Sequence, residues 1–192
     1  MKKYIAAIIP ALIIISCGQP EDPAVAKARQ DSIDKANSRT LYLNAVDSAR
    51  KKIDASKGFD SKLALEALKA YSDFIVTFPK DSMTPEFLFR ASDLARGTGN
   101  FQQATVYLEQ IIENHKGYPR YVEAMFMCAN IYDESLENVN NGGERAKTLY
   151  QFIIDKYPDH PLAADAKVLI EYLGKPDSVL FNDIMKKAEG KK

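Results

Sequence analysis

Few residues of this chain have the side chains on which enzymes and metal sites depend. Its 192 residues include two histidines, two cysteines and no tryptophan. His115 and His160 each lack a second ligand three or four residues away, and neither has a glutamate placed as on a zinc-binding helix. We therefore expect both histidines to be surface or packing residues, and we expect no metal site.

The other candidate catalytic groups also have a plainer structural explanation. Asp133, Glu134 and Glu137 are more typical of a solvated helix end than of a pair of catalytic carboxylates. The Gly-Thr-Gly run at 97–99 lacks the preceding strand and the third glycine of a dinucleotide site, and a turn between helices explains it better. No Ser-His-Asp or Cys-His set can be argued. We expect a protein that is not an enzyme and that uses no cofactor.

The composition indicates one folded domain without a polyanionic partner. Hydrophobic residues make up 46% of the chain, which is enough for a real core at this length. The chain has 26 basic and 26 acidic residues, so it lacks the basic excess of a nucleic-acid-binding protein. Cys128 lies in an apolar helical stretch and is expected to be a small buried hydrophobic residue without a disulfide partner.

The N-terminus has the pattern of a targeting signal. Lys2 and Lys3 precede an apolar run, 4–15, which is shorter than the roughly 20 residues needed to span a bilayer. The run ends in Ile-Ile-Ser-Cys, and this resembles the lipobox of bacterial lipoproteins, with Ile14, Ser16 and Cys17 at matching positions. The resemblance implies cleavage before Cys17 and attachment of a diacylglyceryl group to its thiol. An ordinary secretory signal or a short membrane anchor remains the alternative.

The residues after Cys17 bear on where such a lipoprotein would reside. Gly18 stands where an aspartate would retain a lipoprotein in the inner membrane, so the resemblance implies the outer membrane. Glu21 and Asp22 are similar to an acidic surface-export signal, which leaves the periplasmic side and the cell surface both open. Acyl chains on Cys17 would hold the protein on the membrane.

Most of the remaining sequence has helical periodicity. Residues 24–56 contain no proline or glycine and place a few apolar residues among many charges, which predicts one long, thinly amphipathic helix. Lys57 and Gly58 are favourable at its end. At the C-terminus a proline, a capping residue and apolar positions predict a short helix that covers the last repeat.

A repeated pattern predicts how the central helices are arranged. Segments that begin at Ala67, Ala104 and Ala146 carry apolar or aromatic residues four, seven and eleven positions later, which share one helix face. The segments recur after 37 and 42 residues, with another helical segment between each pair. Such a period is typical of stacked helix pairs. A generic helical bundle with chance similarity is the alternative.

Two junctions resemble the tetratricopeptide repeat, TPR. Gly99 to Ala104, GNFQQA, is similar to the TPR turn, and Lys156 to Ala166, KYPDHPLAADA, is similar to the junction of envelope TPR lipoproteins. The 137–145 turn is about five residues longer than the pattern. The resemblance implies an all-α fold, a TPR-like α-solenoid of about three helix pairs. The expected parts are a signal peptide, a lipidated tether, an N-terminal helix, the repeats, and a capping helix with a basic tail: 1–16, 17–25, 26–57, 59–176 and 177–192.

The resemblance also implies a binding surface, because the first helix of each TPR pair lines a concave groove. Phe89, Phe126 and Met127 would be its adhesive residues, unless Phe89 and Phe126 belong to the core. The expected groove residues are Glu86, Phe89, Arg90, Asp93, Arg96, Glu123, Phe126, Met127, Asn130 and Asp133.

The sequence therefore predicts a lipid-anchored envelope scaffold that binds another envelope protein or peptide. It resembles the outer-membrane TPR lipoproteins of β-barrel assembly and the TPR proteins of the Tol-Pal system, which implies a role in outer-membrane protein assembly or envelope maintenance. Two alternatives stay open: an accessory protein of cell-wall or polysaccharide processing, and a self-assembling structural repeat protein.

Overall fold

The structure is a computed structural model that describes residues 22–139, 141–175 and 177–189. Within these ranges the chain forms helices and no strands, so the all-α prediction is confirmed. The predicted signal peptide, Cys17 and most of the predicted tether lie outside the described residues. The helices are α1 Pro23–Asp54, α2 Ser61–Thr77, α3 Thr84–Gly97, α4 Phe101–Asn114, α5 Tyr121–Glu134, α6 Gly142–Lys156, α7 Pro161–Tyr172 and α8 Asp177–Glu189.

The chain divides into two units, Met1–Ser38 and Arg39–Lys192. In the first unit, α1 begins at Pro23, inside the predicted 17–25 tether, because proline suits the first helical position and the Asp22 carboxylate accepts a hydrogen bond from the Ala24 N–H at 2.7 Å. Residues 22–38 are almost wholly exposed.

In the second unit, only part of the predicted apolar stripe of α1 is buried. Val46 is buried and Ile53 is half-buried, whereas Leu41 is 70% exposed. The Arg39 guanidinium donates two hydrogen bonds to the Asp81 carboxylate, at 2.6 and 3.0 Å, and the Tyr42 ring packs edge-on against Phe78 with ring centroids 5.7 Å apart. These contacts attach the second half of α1 to the segment between α2 and α3.

From α2 to α7, each helix packs against its neighbours in the chain, and α5 also contacts α7. The repeated sequence positions form the core of this stack. They are the small, apolar and aromatic residues at offsets zero, four and seven, all of which are at most 4% exposed: Ala67, Tyr71, Phe74, Ala104, Leu108, Ile111, Ala146, Tyr150 and Ile153. Buried small residues on α3, α5 and α7 allow close helix contacts there: Ala91, Ala95, Ala124, Ala129, Ala163 and Ala166.

The eleventh position of each repeat ends its helix with the same backbone geometry. Phe78, His115 and Tyr157 have φ of −127°, −131° and −132° and ψ of 59°, 49° and 50°. Each donates its N–H to the carbonyl four residues earlier. The carbonyl of each of these three residues accepts a hydrogen bond from the N–H of the residue three positions later. The carbonyl of that later residue accepts one from the N–H of the residue another three positions along. The same turn therefore follows α2, α4 and α6.

The turns inside the helix pairs differ from one another. Between α3 and α4, Gly99 has φ of +78° and Asn100 caps α4 by accepting the Gln103 N–H at 3.2 Å. The longer turn before α6 has Asn141 at φ 60°, followed by Gly142, which lies directly against the Leu136 carbonyl. The extra residues predicted near 137–145 are accommodated there.

The predicted C-terminal helix is present as α8. The Tyr172 hydroxyl of α7 donates a hydrogen bond to the Asp183 carboxylate at 2.9 Å. Phe181 and Met185 on α8 are 62% and 44% exposed, so its outer face is less polar than a solenoid cap requires. Within the described ranges, none of the helices has the length and apolarity needed to cross a membrane.

Candidate functional site

A groove of about 460 Å³ crosses the side of the stack formed by α3, α5 and α7. This volume is within the usual range of ligand pockets. The start of α4 also contributes to the groove, through Phe101. Six of the ten residues predicted for a binding groove line it: Phe89, Arg96, Glu123, Phe126, Met127 and Asn130.

The other four predicted residues lie outside this groove. Arg90 and Asp93 line a second, smaller cavity of about 150 Å³ between α3 and the end of α1. Glu86 is half-buried and accepts hydrogen bonds from the Tyr118 hydroxyl at 2.6 Å and from the Arg90 guanidinium at 2.7 Å. Asp133 is half-buried and interacts with the Tyr150 hydroxyl of α6.

The two phenylalanines predicted to be adhesive have different environments. Phe89 is 1% exposed and belongs to the core, because the Arg120 guanidinium covers its ring at 3.7 Å from the centroid. Of the two alternatives that the sequence left open for Phe89, an exposed anchor and a core residue, the structure supports the core residue. Phe126 is half-buried and packs edge-on against Tyr150 with centroids 5.8 Å apart, so one side of its ring forms the groove wall.

Several groove residues were not predicted from the sequence. Phe101, the first residue of α4, is half-buried and lines the groove. Leu162 enters from the start of α7, where Pro161 occupies the first turn. Arg120 immediately precedes α5. The repeat offered no signal for Leu162, because it aligns this residue with Met83 and Arg120, neither of which was predicted to line a groove.

Several charged residues on this side of the stack form pairs within one helix or at its start. Glu86 pairs with Arg90 at 2.7 Å, and Arg96 contacts Asp93 at 3.6 Å. Arg120 and Glu123 form an ion pair at 2.5 Å, with both side chains about half exposed. Burial raises the pKa of Asp93, and the arginines Arg96, Arg120 and Arg90 oppose that increase. Positive and negative charges thus alternate around an apolar floor.

Two polar contacts fix the orientation of side chains in the floor. The Tyr150 hydroxyl donates a hydrogen bond to the Asn130 side-chain oxygen, which leaves the Asn130 amide nitrogen to donate to another group. The Ser92 hydroxyl of α3 lies 3.8 Å from the Met127 sulfur of α5. Because Tyr150 is fully buried, this hydrogen bond anchors the Asn130 side chain, which lines the groove, to the core.

The remaining candidate chemical groups have structural roles in the described residues. His160 caps α7, its Nδ1 accepting the Leu162 N–H at 3.2 Å. His115 ends α4, and burial lowers the pKa of its imidazole. Cys128 is fully buried, and burial raises the pKa of its thiol. In the part of the chain that the structure describes, no three His, Cys, Asp or Glu residues are grouped as metal ligands.

No protein-family model, curated protein or solved structure matches this chain. A functional conclusion therefore depends on the groove and on the sequence motifs.

Proposed function

We propose that the protein is a lipid-anchored scaffold of the bacterial cell envelope, with TPR-like repeats, that binds a segment of another envelope protein in the groove of α3, α5 and α7. The observation that carries the proposal is the groove itself. The repeat pattern predicted ten residues for one binding surface, and six of the ten line a single cavity. A polypeptide partner fits a surface that combines aromatic, methionine and amide groups.

The stacking of the helices supports the TPR-like part of the proposal. Neighbouring helices pack in chain order, the junctions after α2, α4 and α6 share one backbone geometry, and the alternate helices α3, α5 and α7 share the groove. Proteins built from stacked helix pairs use such a surface to bind extended or helical peptides. Non-enzymatic binding remains our proposal because the groove contains no arrangement of nucleophile and base.

The lipid-anchored part of the proposal depends on Cys17 and its flanking residues. The lipobox resemblance and Gly18 favour the outer membrane, on its periplasmic side or at the cell surface. A scaffold attached there would serve outer-membrane protein assembly or envelope maintenance. We propose that the protein uses no cofactor.

The anchor is tested by changing Cys17 to Ala. We expect the variant to lose incorporation of radioactive palmitate, because the thiol is the proposed attachment point of the diacylglyceryl group. Cys128→Ala is the matched control and should label as the parent does, since that thiol is fully buried. Palmitate incorporation that persists in Cys17→Ala would refute the lipobox.

The groove is tested by crosslinking in intact cells, followed by purification of the protein and mass spectrometry. We expect one envelope protein to be captured by the parent and to be reduced several-fold by the Phe126→Ala, Leu162→Ala double variant, since both residues line the groove. The control pair is Val106→Ala with Val168→Ala, because these side chains are 45% and 47% exposed and lie outside the groove. Equal loss in both pairs, or in neither, would contradict the proposal.

Self-assembly is a second candidate because of α8. Phe181 and Met185 are one helical turn apart and both exposed, which is typical of a contact surface. Sedimentation of the protein at micromolar concentration decides between the two: a monomer excludes self-assembly, and an oligomer that Phe181→Ser dissociates supports it.

A further inference from the structure

We infer that the groove selects a short, uncharged, apolar peptide segment, with little contribution from electrostatic attraction. The inference rests on the proposed function, since it specifies which partner the groove accepts. It is carried by the pairing of the groove charges, by the half-exposed apolar side chains between them, and by the distance across the three helices.

The charges that line the groove are balanced, with two arginines against two glutamates: Arg96, Arg120, Glu123 and Glu134. Arg120 is held by two contacts, the ion pair with Glu123 at 2.5 Å and the stacking on Phe89 at 3.7 Å. Glu123 bonds to the Arg120 Nε and already offsets the charge of the guanidinium, so a ligand carboxylate that approached Arg120 would also meet a like charge. Arg96 has Asp93 within 3.6 Å on the same helix. A partner with several like charges would meet as many repelling groups as attracting ones.

The apolar side chains of the groove provide surface that a ligand can cover. Phe101, Phe126, Met127 and Leu162 are half-buried, so each retains apolar surface that a ligand can cover. They come from three different helices, and the fully buried Phe89 and Ile131 support them from below. Covering such apolar surface removes it from water and so favours binding. Met127 adapts its shape to different side chains because its thioether chain is flexible.

The span of the groove sets the length of the segment. Neighbouring packed helices lie about 8–10 Å apart, so a path from α3 across α5 to α7 measures roughly 20 Å. An extended chain advances about 3.3 Å per residue, which gives about six residues. The Ser92 contact with Met127 joins α3 to α5, and α5 contacts α7, so the path is continuous.

A peptide fits this site better than an acyl chain. Half of the residues that line the groove are charged or polar: Arg96, Arg120, Glu123, Asn130, Glu134 and Ser135. The main-chain amides of a peptide can form hydrogen bonds with such side chains, whereas a hydrocarbon would cover them without offering a partner.

The experiment is a selection of random twelve-residue peptides on the full chain, purified from membranes and held in lipid nanodiscs. Enriched peptides are expected to share an apolar stretch of about six residues with a net charge near zero. Their affinity should change by less than about threefold between about 50 mM and about 500 mM sodium chloride, because salt screens only charge–charge attraction. Leu162→Ser should weaken binding by about tenfold or more, whereas Val168→Ser on the same helix should not.

A second variant keeps the inference testable if Leu162→Ser unfolds. Asn130→Asp preserves side-chain shape and the acceptor for Tyr150, but adds an unpaired negative charge to the groove. Selection on this variant should shift the enriched peptides towards basic sequences.

The possible outcomes separate the inference from the proposed function. Charged peptides whose affinity depends on Leu162 and falls tenfold or more with salt would overturn the inference and leave the proposed groove in place. Peptides that bind independently of Leu162, or a selection that enriches none, would overturn both. Free fatty acid that displaces the selected peptides would replace the peptide with a lipid and would also overturn the inference.

Discussion

At the residue scale, the junctions depend on side chains that satisfy buried main-chain groups. Thr84 is 1% exposed, and its hydroxyl donates a hydrogen bond to the Phe78 carbonyl at 2.6 Å. That carbonyl follows α2 and also accepts the Asp81 N–H at 3.0 Å. Thr84 is therefore buried in the stack because its hydroxyl stabilises the turn between α2 and α3.

Thr84→Val tests that explanation. The change keeps the shape of the side chain and removes the hydroxyl, so the free energy of unfolding should fall by about 1–2 kcal/mol. Urea unfolding followed by circular dichroism measures the difference. Thr77→Val is the control, because Thr77 is exposed and its hydroxyl bonds to a carbonyl of its own helix, that of Asp73. An equal loss in both variants would show that the buried hydroxyl has no special role.

The sequence predicts groove residues only as far as single-helix periodicity reaches. Counting along α3 and α5 selected Phe126, Met127 and Asn130, which line a shared cavity. It could not decide between groove and core for Phe89, because Arg120, which covers this ring, belongs to a segment 31 residues away in the chain. Periodicity identifies a helix face, whereas the exposure of one residue on it depends on a neighbour whose position is set by packing.

At the element scale, helix order and the repeated core were predictable, and the helix ends were less so. The aromatic or histidine residue at offset eleven ends α2, α4 and α6, as its recurrence before proline or a turn suggested. The helix was predicted over 24–56 and begins at Pro23, a residue that was assigned to the tether although proline also begins helices. The C-terminal helix was predicted, but the exposure of Phe181 was not, since exposure depends on what packs against α8.

The long turn before α6 supplies an element-scale prediction. A Cβ at Gly142 would run into the Leu136 carbonyl, whereas a Cβ at Gly143 would meet its nearest atom at 3.6 Å, an ordinary contact. Gly142→Ala should therefore lower the free energy of unfolding by more than about 2 kcal/mol, while Gly143→Ala should be neutral or slightly stabilising. Urea unfolding of the two variants checks the contrast. Similar stabilities would mean that the turn rearranges freely.

At the scale of the whole molecule, buried hydroxyl and thiol groups determine the response to alkaline pH. Burial raises the pKa of five tyrosine side chains in the helical stack, and it raises the pKa of the Cys128 thiol. The tyrosines are Tyr71, Tyr118, Tyr121, Tyr132 and Tyr150. The folded state therefore holds these protons to higher pH than the unfolded state does.

Stability should consequently fall as the pH rises. The contribution is fully present below the ordinary pKa values, about 8.5 for a thiol and about 10 for tyrosine, because both states are then protonated. Above them the unfolded state loses protons first, and unfolding becomes more favourable. The urea midpoint should therefore be lower at pH 10.5 than at pH 8. A midpoint that rises or stays constant over this interval would contradict the assigned burial.

The repeated turn after α2, α4 and α6 has a consequence for how the gene can change. Residues 79–115 begin and end at equivalent backbone positions, because Phe78 and His115 share one geometry and one set of hydrogen bonds. An in-frame duplication or deletion between such positions would join surfaces that already fit. Family members would then differ in length by steps of 37 or 42 residues, the spacings of the present copies. Each step would lengthen or shorten the groove proposed to bind a peptide.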